Sequence, residues 1–458
     1  MTEKKKMRRR EFLKATGLAG LTLPAIKIVS RANNTEFLSS REQYGSFLVK
    51  RNSKGDPVYK VDTSKYKRFV EKDTMFSRSH WDQKTMDMEK QYQGTELQRI
   101  KNKDPGYSLL DYSFNHASWT GDNNSFYKWT SSRSRPGKAL YDLPAWKPDD
   151  LPPREVTNII KKAALFYGAS MVGVAKLDER WVYLKAFYRR QERKDQQGPV
   201  EADIFIKDAD EPVKLSENNQ VIIPKSCKYV IAMVLEMDID ASEAAPTCIA
   251  AAATGNGYSR MAVTAGTLAQ FIRGLGYMAL PQGNDTSLSI PIAVDAGLGE
   301  LGRNGLLITP KFGSRFRICK VFTDMPLIPD GPISFGVTEF CEICGKCAKY
   351  CPSGSIMEGP RTYERRIFSN NPGVYKWPID PFKCYQYWQE NGTDCNTCIY
   401  VCPYNKPESW LHDAARNLIG FKSSSLNKII LELDNACGYG EEKNPSQYWK
   451  KNNFIHIS

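Results

Sequence analysis

Eight of the twelve cysteines fall between residues 341 and 402, and their spacing admits few folds. The first run, CEICGKCAKYCP, places Cys341, Cys344 and Cys347 at even steps, then Cys351 followed by Pro352. The second places Cys384 ahead of DCNTCIYVCP, with Cys395, Cys398 and Cys402 followed by Pro403. Three thiolates at this pitch wrap one cuboidal iron–sulfur cluster, and a fourth, lying beyond and followed by proline, ligates the other cluster in two-cluster ferredoxins. By that rule Cys341, Cys344, Cys347 and Cys402 hold one 4Fe–4S cluster, and Cys384, Cys395, Cys398 and Cys351 hold the second. The second run departs from the short ferredoxin spacing because its first ligand is displaced to Cys384. Structural zinc favours two separated ligand pairs, and disulfides across adjacent CxxC steps would close strained loops. The chain is therefore expected to move electrons one at a time.

A ferredoxin alone would be far shorter than 458 residues, and two or three structural units are expected. A hydrophobic content of 41% suffices for a sizeable core. No run reaches the ~18 apolar residues of a spanning helix. The N-terminus reads as a processing segment of residues 1–32, with a basic start, an apolar stretch from Ala15 to Ile28, and small residues at Ser30 and Ala32. Arg9-Arg10-Glu11-Phe12-Leu13-Lys14 is similar to the RRxFLK twin-arginine export signal. That route carries folded proteins, so clusters can be inserted before export. Residues 1–31 supply +7 of the net +13, and the remainder, near +6, reads as solvated surface with no nucleic-acid footprint.

Residues 33–153 are polar, aromatic and weakly periodic, and are expected to form an irregular layer over a core, with Trp119 and Trp129 as candidate pocket aromatics. A proline cluster ends at Pro153. The core is expected over 154–332. EVTNIIKKAALFYG has helical spacing up to Gly168, MVGVAKL and YVIAMVLEM read as buried strands, and residues 177–220 as a charged excursion. A small-residue helix, Ala244 to Ala253, precedes TGNGYSRMAVTAGTLAQFIRGLGY, whose second half is helical. Strands alternating with helices predict layered α/β packing. The ferredoxin-like module spans 333–406, and a polar, partly helical tail 407–458. Gly297-Leu298-Gly299-Glu300-Leu301-Gly302 matches GxGxxG by letter but lacks a clean βαβ context, so its glycines are better read as letting backbone approach a large flat cofactor. Cys227, Cys248, Cys319 and Cys437 lack ligand spacing and are expected to pack as buried apolar groups.

The twin-arginine signal, GLGELGRNG…FTDMPL and the two-cluster module together resemble the catalytic subunit of respiratory reductive dehalogenases. The resemblance implies an α+β fold, with a nitroreductase-like core that binds a corrinoid (cobalamin or a relative) in the base-off form, near Gly299 and Gly302. Of the four histidines, His80, His116, His412 and His456, none stands in a DxHxxG setting. It also implies a pocket in which Tyr258, Asn284 and Arg317 are catalytic, with Thr254, Trp119 and Trp388 lining the substrate; Arg303 and Arg315 remain alternatives to Arg317. Tyr258 would donate the proton, the guanidinium would stabilise the phenolate, and Asn284 would donate to the halogen or the phenolate. The implied reaction is reductive dehalogenation of a chlorinated ethene or aromatic as the terminal step of anaerobic respiration. The implied partners are a small hydrophobic membrane-anchor subunit and an upstream electron donor, with room for a homodimer, at the outer face of the cytoplasmic membrane. Two readings compete: an epoxyqueuosine-reductase-like enzyme, disfavoured by the export signal, and a non-catalytic iron–sulfur electron carrier, which would leave the core unexplained.

Overall fold

YVIAMVLE, residues 229–236, is buried along almost its whole length, and a strand apolar on both faces needs cover on both sides. The computed structural model describes residues 49–51, 60–123, 126–129, 146, 151–188, 199–407, 409–441 and 443–450. The twin-arginine stretch, residues 189–198 of the charged excursion and His456 lie outside the described residues. In chain order the main strands are β1 (Met171–Lys176), β2 (Lys185–Tyr188), β3 (Val200–Lys207), β4 (Gln220–Pro224), β5 (Tyr229–Glu236), β6 (Ala279–Gln282), β7 (Glu300–Leu301), β8 (Leu307–Ile308) and β9 (Phe316–Thr323). The main helices are α1 (Gln83–Asn102), α2 (Leu109–Ser118), α3 (Pro153–Phe166), α4 (Cys248–Gly274), α5 (Ser289–Asp295), α6 (Val337–Cys344), α7 (Pro381–Asn391), α8 (Thr397–Tyr400), α9 (Trp410–Ile419) and α10 (Ser424–Ala436).

The central sheet runs β1-β5-β9-β6 with every neighbour antiparallel: Met171 faces Val234, Arg317 faces Leu235 and Lys320 faces Gln282. Alternating strands and helices suggested α/β layering, and the layers are there, but antiparallel pairing makes the fold α+β. A strand buried on both faces reads alike in either direction, so composition could not tell them apart. On one face α3 and α4 contribute Val156, Ile160, Met261, Leu268 and Ile272 against Ile231, Met233, Leu235 and Val321. Each such fully buried side chain contributes ~1.5–3 kcal/mol. The other face meets α5, where Gly173 of β1 lets the Ala296 carbonyl approach to 2.1 Å from where a Cβ would stand. The charged excursion between β1 and β5 forms a second sheet, β2-β3-β4.

Three sequence expectations change. The N-terminal layer is more helical than its weak periodicity suggested, because the polar α1 is held by tertiary contacts. Arg99 Nη1 donates to Asn391 Oδ1 at 2.7 Å, and Lys103 closes the helix in the left-handed region at φ 58°. The TGNG segment does not interrupt the helix: α4, the longest among the described residues, passes straight through it. Cys227, Cys248 and Cys319 are buried as expected, whereas Cys437 is exposed at the C-terminal cap of α10. Among the described residues no helix is long and apolar enough to cross a membrane.

Candidate functional site

α4 presents Thr254 and Tyr258 one turn apart on the same side. Asn284 lies in the turn after β6, and its Nδ2 donates to Tyr258 Oη at 3.0 Å. Because the amide donates, the phenol keeps its own hydrogen for another acceptor. Arg317 projects from β9 toward α4. Its guanidinium lies 5.3 Å from the Tyr258 ring centroid, and its Nη2 donates to Thr254 Oγ1 at 2.9 Å. Trp119 stacks on Tyr258, with centroids 5.2 Å apart and planes at 20°. Five of the six pocket residues expected from the sequence therefore meet.

Trp388, the sixth, packs against Phe76 and Tyr385, with centroids 6.0 and 6.1 Å away, and its indole nitrogen is buried without a partner. Trp129 donates to the Pro281 carbonyl at 3.1 Å, bracing the strand before Asn284. The competing arginines go elsewhere. Arg315 pairs with Glu236 at 2.8 Å and Asn405 Oδ1 at 2.8 Å, and Arg303 donates to the Cys341 carbonyl at 3.0 Å. Gly299 and Gly302 serve a close approach, but to the chain's own β8: a Cβ at Gly299 would lie 2.2 Å from the Ile308 carbonyl oxygen, and one at Gly302 2.6 Å from Ile308 Cδ1.

The two glycines in GNGYSR explain why α4 tolerates poor helix formers at its centre. A Cβ at Gly255 would fall 2.2 Å from Ser118 Oγ and 2.6 Å from Trp119 Nε1, and one at Gly257 2.8 Å from Arg317 Cγ. They are the notches into which the tryptophan and arginine fit around Tyr258. Gly255→Ala gains ~1 kcal/mol of helix propensity but incurs ~1–3 kcal/mol of overpacking. A net loss of stability is expected, read as an earlier denaturation midpoint with altered tryptophan fluorescence; an unchanged midpoint and spectrum would contradict this packing role.

Residues that sequence reasoning missed sit beneath the site. Lys320 of β9, fully buried, donates to the Gly283 carbonyl at 2.6 Å and to Ser289 Oγ at 2.8 Å, and so fixes the turn carrying Asn284. Burial pushes its ammonium down to about 8, with Asp285 acting in the other direction. Asn396 Nδ2 donates to Thr254 Oγ1 at 3.0 Å and to the Ala250 carbonyl at 2.9 Å. Asn396 and Asp394 flank Cys395, so one hydrogen-bonded path joins a cysteine of the second run to Thr254 and Arg317. Proximity in sequence gave no sign of either contact.

The cysteines gather as their spacing requires. Cys341, Cys344, Cys347 and Cys402 line one cavity with Arg303, Asn304 and Phe340. Cys398 lies close enough to Cys395, Cys384 and Cys351 for their charges to raise its thiol, although burial is the larger cause. Burial also pushes Cys344 and Cys384 up to about 12. Cysteine ligands bind as thiolates, so bound iron must offset that cost. Among the described residues no group of three or more His, Cys, Asp or Glu converges on a single metal ion; a cuboidal cluster takes its thiolates at separate corners.

Paired thiolate sets, joined to a tyrosine-centred cluster of polar and aromatic side chains, point to an iron–sulfur oxidoreductase. Residues 82–327 match the reductive dehalogenase subunit family, and residues 340–405 match the 4Fe-4S double cluster binding domain. The chain belongs to the reductive dehalogenase family. It is 38% identical over 394 residues to the tetrachloroethene reductive dehalogenase of Sulfurospirillum multivorans, covering 81% of this chain and 75% of that protein. It is 41% identical over 310 residues to a tetrachloroethene reductive dehalogenase of Desulfitobacterium hafniense, covering 64% of this chain and 55% of that one. A solved reductive dehalogenase, reported to suggest a mechanism for B12-dependent dehalogenation, shares the fold with a TM-score of 0.63 at 21% identity. That match covers 88% of this chain and 50% of the solved one.

Proposed function

We propose that this chain reductively cleaves a carbon–halogen bond of a chlorinated ethene, with Tyr258 as the proton donor. The observation that carries the reading is the Tyr258 constellation: its Oη receives the Asn284 amide at 3.0 Å, with Arg317 5.3 Å from the ring centroid. The substrate class follows the named activity of the relatives at 38% and 41% identity. In the overall reaction an organohalide takes up two electrons and one proton, yielding the hydrogenated carbon and a halide ion. Cys341, Cys344, Cys347 and Cys402 hold one 4Fe–4S cluster, and Cys384, Cys395, Cys398 and Cys351 the other.

The core, nitroreductase-like in this reading, takes a corrinoid. Three buried donors near Tyr258 and the turn carrying Asn284 fit such a group: Tyr127 Oη, Gln282 Nε2 and Arg317 Nε have no partner among the described residues. Buried polar atoms are nearly always paired, and the amide-bearing rim of a corrin supplies acceptors of the right kind. When bound, the corrinoid supplies the low-potential reducing power for the bond cleavage. The chain's own residues do the rest. Tyr258 Oη delivers its hydrogen to the developing carbanion, the Arg317 guanidinium stabilises the phenolate left behind, and Asn284 orients the oxygen. Trp119 holds the ring in plane and offers an apolar wall to a flat chlorinated substrate.

Metal analysis and visible spectra of anaerobically purified protein test the reading. About eight irons and one cobalt per chain, with a base-off corrinoid spectrum, are expected. Eight irons without cobalt after corrinoid reconstitution would leave an electron carrier. We further propose export by the twin-arginine route to the outer face of the cytoplasmic membrane, peripheral attachment through a small hydrophobic anchor subunit, and reduction by a donor of the respiratory chain. Co-purification with the anchor from detergent extract supports this; an unchanged membrane fraction without the anchor would refute it.

A further inference from the structure

The two thiolate sets stand in different electrostatic surroundings. Lys346 lies between Cys344 and Cys347, and Lys406 follows Cys402 by one turn of loop. Both reach Asp434 of α10, Lys346 Nζ at 2.5 Å from Oδ2 and Lys406 Nζ at 3.1 Å from Oδ1. All three side chains are buried, with exposures of 5%, 6% and 7% for Lys346, Lys406 and Asp434. Lys346 Nζ also donates to the Tyr439 carbonyl at 2.7 Å, and Lys406 Nζ lies 4.1 Å from the Tyr439 ring centroid. The charges of Lys406 and Asp434 act on Cys402, and those of Asp434 and Lys346 on Cys344. Across the module, the charge acting on Cys384 and Cys395 from outside their own set is that of Asp394, with the Arg317 guanidinium acting on it in turn. Among the described residues no lysine is buried against that carboxylate as two are against Asp434.

One lysine would satisfy Asp434. A second buried ammonium is costly unless another negative charge offsets it. A cuboidal cluster on four thiolates carries net negative charge, and one unit more after reduction, so it supplies the missing counter-charge. Arg303, 4% exposed, adds to the same side: its guanidinium donates to the carbonyls of Cys341, Met357, Glu358 and Gly359 and stacks on Trp377 at 4.7 Å.

We propose that Lys346 and Lys406, held by Asp434, set the reduction potential of the cluster on Cys341, Cys344, Cys347 and Cys402 above that of the second cluster. The inference rests on the double-cluster reading of the cysteines. The step is the addition of one electron to the cluster, with no bond made or broken. A fixed positive charge stabilises the added electron, and more strongly in a poorly screened interior than in water.

Potentiometric titration followed by electron paramagnetic resonance, on full-length anaerobic protein with its iron counted, tests the proposal. Lys406→Gln is expected to lower the midpoint of the higher-potential cluster and leave the other unchanged, while Lys406→Arg keeps the unaltered value. Lys346→Gln, on the other oxygen of Asp434, should shift the same midpoint in the same direction. Equal midpoints in the glutamine and arginine variants, with iron intact, would overturn it. So would loss of half the iron in both glutamine variants, which would make the lysines structural. An unaltered chain with iron far below about eight would instead defeat the cluster reading itself.

Discussion

Tyr258→Phe is expected to lower turnover by ~10²–10⁴-fold, the range for removing a positioned general acid. Little else should change. Phenylalanine keeps the ring that stacks on Trp119 at 5.2 Å and faces Arg317 at 5.3 Å. The one lost contact is the Asn284 hydrogen bond, whose donor stands on an exposed residue and can turn to water. That loss costs ~1 kcal/mol, far below the several kcal/mol by which the rate falls. Iron and cobalt content and the cluster signals should match the unaltered enzyme. Steady-state assays with a low-potential artificial donor, over a range of chlorinated ethenes, read the effect. Turnover within a factor of two of the unaltered enzyme would remove Tyr258 from the proton-donating role.

The second large effect concerns the crossed ligands. Cys351→Ala should remove the cluster held by the second cysteine run, although Cys351 belongs to the first, and Cys402→Ala should do the converse. Each variant is expected to fall from about eight irons to about four and to lose electron delivery altogether. The spectra of the two should differ, each retaining the signal the other lacks. The prediction draws on the grouping of Cys351 with Cys384 and Cys395, and on the cavity that Cys402 shares with Cys341, Cys344 and Cys347. Identical residual signals in the two variants would mean the ligands are not exchanged between the runs.

Much of this was legible because it depends on spacing. The cysteine runs specify their chemistry in the order of letters, and the apolar runs at 171–176 and 229–236 could only be buried strands. Tyr258, Asn284 and Arg317 came from a resemblance, and folding brings them together from a helix, a turn and a strand. What remained hidden depends on three-dimensional approach. Glycines at 255 and 257 look like breakers in a sequence, whereas they are contact surfaces for Trp119 and Arg317. Gly299 and Gly302 likewise give close approach to the Ile308 strand, which no spacing rule foretells. Three arginines within fifteen residues are equivalent on paper; folding separates them, since Arg317 stands in β9 and reaches Thr254 while Arg315, just before the strand, turns to Glu236. Trp388 packs its ring against Phe76 and Tyr385, contacts that spacing alone does not foretell.

The link from Asn396 through Thr254 to Arg317 bears on how such enzymes can be recombined. A ferredoxin-like segment invites treatment as a cassette, to be exchanged between relatives so as to match a different electron donor. Here the cassette carries the amide of Asn396 that anchors Thr254. A graft that imports foreign residues at 394 and 396 would accept electrons normally and yet leave Thr254 without its amide and Arg317 less firmly aimed. Swaps that retain Asp394 and Asn396, or that exchange them together with Thr254 and Arg317, respect the seam along which the protein is actually joined.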